Sequence, residues 1–79
     1  MRIVGEIPHP RCQVTLFDWN NRYIIKIEQD RLEQTFKIDQ FQVESVDTLK
    51  GLISEDFLSR VLDRFDDMRD SLNKSLHSN

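Results

Sequence analysis

The segment Pro8-His9-Pro10-Arg11-Cys12 sets a histidine and a cysteine three residues apart, two side chains that could hold a metal or form a nucleophile and its base. A zinc site takes three or four Cys, His or carboxylate ligands in a preformed geometry, and the other histidine, His77, lies near the end of the chain. A cysteine–histidine pair also needs a group to orient the base and donors for an oxyanion, and the local sequence offers neither. Cys12 is the single cysteine, which excludes an internal disulfide and suits a small buried apolar side chain. Asp63, Asp66, Asp67 and Asp70 could attract a hard cation, but Arg60, Arg64 and Arg69 alternate with them, the composition of a solvated helix face. With Gly5 and Gly51 as the only glycines, neither a phosphate-cradling loop nor a dinucleotide fingerprint can be built. We therefore expect no catalytic residue, no metal ligand, no cofactor and no enzymatic activity.

A different chemistry, that of contact, is suggested by LFDWNNRYIIKI, residues 16 to 27. Asn20 and Asn21 tolerate positive φ, which suits a two-residue primed turn between strands. That turn fixes the register: Leu16 opposite Ile25, Val14 opposite Ile27 and Asp18 opposite Tyr23 share one side, the core side. The far side then carries Gln13, Thr15, Phe17 and Trp19 on one strand and Arg22, Ile24, Lys26 and Glu28 on the next. Two aromatics and an isoleucine clustered where water is expected mark a contact site, and Trp and Arg are enriched at interface hot spots.

The elements that must position these groups follow from periodicity. Ile3, Val4 and Ile7 suit a strand that ends at two prolines, hence an edge strand or an arm over a neighbour. Phe36 and Ile38 alternate with Thr35 and Lys37 in a further strand, and a turn at Asp30-Arg31 sets Phe36 beside Ile25. Between residues 39 and 53 the pattern is mixed: Phe41 and Val43 alternate as in a strand, whereas Val46, Leu49 and Ile53 have helical spacing with Gly51 as the stop. We read a loop and then a short helical turn. Ser54 is an N-cap with Glu55 and Asp56 behind it. Leu58, Val61, Phe65, Met68 and Leu72 recur every three or four residues, and Phe57, Leu62 and Leu76 widen that stripe. A helix of about twenty residues is about 30 Å long and exceeds short strands of about 20 Å. It should overhang the sheet and expose Met68, Leu72 and Leu76, with fraying from Ser75 on.

The fold class predicted is α+β: an antiparallel β-meander of three to four strands packed against one long C-terminal helix. Its strands fall at about residues 2–7, 12–19, 22–29 and 33–38 and its helix at about 55–74, in one domain. A chain of 79 residues buries little more than about 60% of its unfolded surface. It therefore has reason to share apolar surface with a second copy.

Charge narrows the partners. A net charge of −3 and a pI near 5.2 speak against nucleic acid or an anionic membrane, which require clustered Lys and Arg. The chain opens without a basic and then apolar leader, and no apolar run approaches the length of a membrane span. With an unpaired cysteine, this leads us to expect a cytoplasmic protein.

The run GEIPHPRC, the hairpin LFDWNNRYIIKIEQ and the strand LEQTFKI resemble a family of small uncharacterised bacterial proteins. That family shares a GEIPHP-type start, a WN-turn hairpin and an EQTFK-type strand, here Gly5 to Pro10, Trp19-Asn20 and Glu33 to Lys37. The resemblance covers about half of the chain and implies a free-standing domain; it supplies no activity and no site residues.

The functional expectation is a non-enzymatic protein-interaction and assembly module that forms homo-oligomers. Its contact residues are Phe17, Trp19, Arg22 and Ile24 on the sheet and Met68, Leu72 and Leu76 on the helix. The alternative is a small-ligand or nucleic-acid binding domain that uses the Phe17, Trp19 and Arg22 face, where aromatics could stack on bases. An enzyme would instead show a deep polar pocket at His9 and Cys12.

Overall fold

In the computed structural model, which describes residues 1–78, Asn20 and Asn21 have φ of 53° and 62°, the pair of positive angles that a type I′ turn requires. From this turn β2 (Gln13–Trp19) and β3 (Arg22–Gln29) run antiparallel. Leu16 faces Ile25, Val14 faces Ile27 and Asp18 faces Tyr23, the register read from the sequence. A second two-residue turn follows at Asp30-Arg31. Asp30 has φ of 55°, the positive angle that a type II′ turn needs at its first central position. Aspartate tolerates it better than most residues. β4 (Leu32–Asp39) then pairs with β3 and sets Phe36 opposite Ile25. It is one residue longer at each end than the periodicity alone indicated.

β1 (Arg2–Ile7) pairs antiparallel with β2, so the sheet has the order β1-β2-β3-β4 and β1 is an edge, as Pro8 and Pro10 implied. Its register slips between Ile3 and Gly5, a bulge that leaves Ile3 opposite Phe17 and Ile7 opposite Val14.

After β4 the chain makes a single 3-10 turn, Gln40–Gln42. Gln40 fastens it: its Nε2 donates to Asp18 Oδ1 at 2.6 Å, and its backbone N–H donates to the Asn21 carbonyl. α1 (Val46–Leu52) starts where Ser45 Oγ accepts the Thr48 N–H at 3.1 Å. This is the loop and short helical turn expected, with one correction. Gly51 does not stop the helix; it lies within its last turn, and the Ile53 N–H closes the end on the Lys50 carbonyl. A glycine ends a helix by taking positive φ, and neither glycine does so here.

α2 (Glu55–Leu76) begins at Ser54, whose Oγ accepts the Phe57 N–H at 3.1 Å. It runs past Ser75, where fraying was expected, because the His77 N–H reaches the Asn73 carbonyl and Lys74 pairs with Asp70 at 3.0 Å. Leu58, Val61, Leu62 and Phe65 of α2 are buried with Leu49 and Ile53 against Val14, Leu16, Ile25 and Ile27 of the sheet.

Side chains of β4 and its turn dock α2 antiparallel to that strand. Phe57 meets Phe36 edge-on with ring centroids 5.3 Å apart. Further along, Gln34 Nε2 donates to the Val61 carbonyl, and Arg69 Nη2 donates to Gln29 Oε1. At Arg69 the helix reaches the end of the sheet. Its 22 residues make a rod of about 33 Å, and the molecule extends 49 Å along its longest axis. The last turns of α2 therefore project beyond the strands. Among the described residues no helix is long and apolar enough to cross a membrane.

Candidate functional site

The sheet face away from α1 and α2 carries the first group of contact residues, and the structure divides them. Trp19 is 42% exposed, whereas Ile24 is only 4% exposed. Ile24 was expected as a contact residue; it is instead the floor of a shallow cleft of about 200 Å³ whose walls include Met1, Phe17, Trp19 and Lys37. Central position explains the difference. Ile24 sits on an inner strand with Phe17 on one side and Lys37 on the other, and their long side chains lean over it. Phe17 is half-buried, and Thr15, on the same face, is buried as well.

Two residues of this patch escaped sequence reasoning. Ile3, opposite Phe17, and Met1, in the cleft wall, are both exposed and extend the apolar area across β1. The bulge after Ile3 decides which way that side chain points, and bulges leave little trace in a six-residue strand.

Charge around the patch is neutralised locally. Arg22 Nε lies 3.3 Å from Asp39 Oδ1, and Lys26 Nζ lies 3.6 Å from Glu33 and 4.0 Å from Glu28. A phosphate approaching Trp19 would have to displace these carboxylates.

The second group lies elsewhere. Leu72 and Leu76 are 48% and 67% exposed, while Met68 is half-buried against the edge of the core, so of the three it has the least free surface. Arg69 holds this part of α2 to the Asp30 turn, at the opposite end of β3 from the Asn20-Asn21 turn beside Trp19. The two groups thus occupy opposite faces and opposite ends, and do not form one surface.

His9 and Cys12 line a common cleft of about 500 Å³ with Glu6, Ile7 and Gln13. His9 Nδ1 accepts the Arg11 N–H at 3.1 Å, which leaves its Nε2 facing Glu55 at 3.9 Å. Burial pushes the Cys12 thiol above its ordinary pKa, with Arg11 opposing and Glu55 reinforcing the shift. A nucleophilic cysteine needs the reverse. On α2, Asp66 pairs with Arg69 and Asp70 with Lys74.

A third cleft, of about 530 Å³, opens between the outer side of β4 and the α1–α2 corner. Its apolar lining includes Phe36, Ile38, Leu52, Ile53 and Phe57, and Leu52 is exposed. The sequence could not foretell this cleft, because it depends on how far α2 covers β4.

Comparisons with protein families, with curated proteins and with solved structures found no match.

Proposed function

We propose that this chain is a non-enzymatic assembly module that associates with copies of itself. The observation that carries this reading is the apolar surface clustered at two separated places, Trp19 with Met1 and Ile3 on the open sheet face and Leu72 with Leu76 on the projecting helix, while Phe41 and Leu52 are exposed elsewhere. Such clusters mark contact surfaces more often than scattered surface hydrophobes do. Because the two places lie at opposite ends, they serve two contacts. A free thiol and an acidic surface fit a reducing, cytoplasmic setting.

Sedimentation velocity tests the reading. Trp19→Ser, and separately Leu72→Ser with Leu76→Ser, should each lower the apparent mass at a fixed concentration with the far-ultraviolet dichroism unchanged. Unchanged mass in both would overturn it. For the alternative of ligand or nucleic-acid binding on the Phe17, Trp19 and Arg22 face, the carboxylates bound to Arg22 and Lys26 are unfavourable. Titration with an oligonucleotide should leave the Trp19 fluorescence unmoved.

A further inference from the structure

In a two-residue hairpin the closing pair exchanges hydrogen bonds, and bonded and unbonded pairs then alternate. Gln29 and Leu32 close the second hairpin. The backbone groups of Leu32, Gln34, Phe36 and Ile38 therefore turn inward to β3, and those of Glu33, Thr35 and Lys37 turn outward. Among the described residues, no backbone bond beyond the ladders reaches these three. β4 is thus an eight-residue edge without proline or glycine. Natural sheets shield such an edge or pair it. The other edge, β1, is shielded: it is shorter, bulged, and followed by Pro8.

We propose that β4 pairs antiparallel with β4 of a second copy about a two-fold axis at Thr35, giving a dimer with one continuous eight-stranded sheet. This rests on the self-assembly reading and adds to it a particular edge and register. Charge selects that register. With Thr35 opposite itself, Glu33 meets Lys37 of the second copy, Lys37 meets Glu33 of the second copy, and just past the strand Arg31 meets Asp39. Sliding by two residues sets Lys37 against Arg31 or Glu33 against Asp39. Sliding by four sets Glu33 or Lys37 against itself. Like charges directly opposite destabilise a strand pair, so charge favours the register centred on Thr35; within the sheet Glu28 stands opposite Glu33 with Lys26 close to both.

Lys37 lies within no ion pair among the described residues, and Thr35 is exposed. On the other face the same register sets Leu32 against Ile38 and Gln34 against Phe36. All four are half-buried, whereas Ile25 and Ile27 on β3 are buried. α2 is docked on β4 itself, by Phe57 against Phe36 and by Gln34 on the Val61 carbonyl, so the dimer sets the two α2 helices side by side across the two-fold axis, against the outer sides of these half-buried residues. The two-fold axis also carries the Asp30 end of each copy, with Met68 and Arg69 above it, to Ile38 and the apolar cleft of the other. Both β4 edges are used in one symmetric contact, so assembly through this edge stops at two chains.

Charge reversal tests both edge and register by size-exclusion chromatography with light scattering. Glu33→Lys sets lysine against Lys37, and Lys37→Glu sets glutamate against Glu33. Each variant alone should raise the dimer dissociation constant at least about tenfold. An equimolar mixture of the two places opposite charges at every position and should return a dimer of wild-type affinity. Thr35→Pro removes an outward N–H and leaves the bonds to β3 in place, so it should give a folded monomer. A wild type that is monomeric up to about 1 mM overturns both this proposal and the assembly reading. A wild-type dimer that Trp19→Ser disrupts, but that neither charge variant weakens, overturns the edge pairing and leaves the assembly reading standing.

Discussion

Gln34 joins sheet to helix through both ends of one amide: Nε2 donates to the Val61 carbonyl at 2.9 Å, and Oε1 accepts from Arg64 Nε at 3.0 Å. Gln34→Leu deletes both bonds, of which the one to Val61 is part-buried. Urea unfolding should show a loss of about 1–2 kcal/mol with an unchanged slope. Nothing in the sequence pointed to this residue, because its partners lie 27 and 30 positions away and a glutamine reads simply as polar. Ile24 was misread for a related reason. Alternation places a side chain on a face but does not say how far its neighbours lean over it. Ile24→Ser should therefore destabilise the monomer by about 2–4 kcal/mol in the same assay, while Trp19→Ser stays within about 1 kcal/mol. Cys12 offers a residue-scale test of the alternative enzyme reading. Its raised pKa lowers the thiolate fraction at neutral pH, and the thiolate is the reactive form. Alkylation should run slower than that of a free thiol at pH 7, and its rate should reach half-maximum at a higher pH. A rate above that of the free thiol would reopen the nucleophile.

The elements were legible where chain chemistry is local. Asn20-Asn21 announced its turn through two residues that accept positive φ, and the register of β2 and β3 followed from it. Ser54, Glu55 and Asp56 announced the start of α2 because an N-cap bonds within its own first turn. Legibility failed where geometry is decided from a distance. The turn at Asp30-Arg31 was placed correctly but its type was not, because no glycine marks the positive φ at Asp30; the bulge in β1 depends on pairing with β2, and Gly51 has the residue type of a helix stop without its conformation. That last failure yields a prediction. A Cβ built on Gly51 meets nothing within 4 Å, and its φ is not positive. Gly51→Ala should therefore stabilise α1, and with it the fold, by about 0.5–1 kcal/mol, read as a higher denaturant midpoint.

For the molecule as a whole, the shape leaves the end of α2 without a sheet beneath it. About two turns of α2 lie beyond Arg69, where the helix last touches the sheet, and they carry Leu72 and Leu76 with no sheet beneath them. A helix end held by nothing but its own ladder is marginal in water, although Asp70 and Lys74 lend it a modest i,i+4 pair. On the proposed self-assembly, stability depends on how many copies are present. If copies associate as proposed, binding of one native copy by another stabilises both by mass action, and the melting temperature should rise with protein concentration. For a domain of this size that unfolds from a dimer, a tenfold increase in concentration should raise it by about 3–5 °C. A self-contained monomer would melt at one temperature throughout. Calorimetry over a hundredfold range of concentration separates the two. If the Glu33→Lys chain loses that dependence, and mixing it with the Lys37→Glu chain restores it, the strand edge is the source of the coupling; if only Trp19→Ser removes it, the open sheet face is.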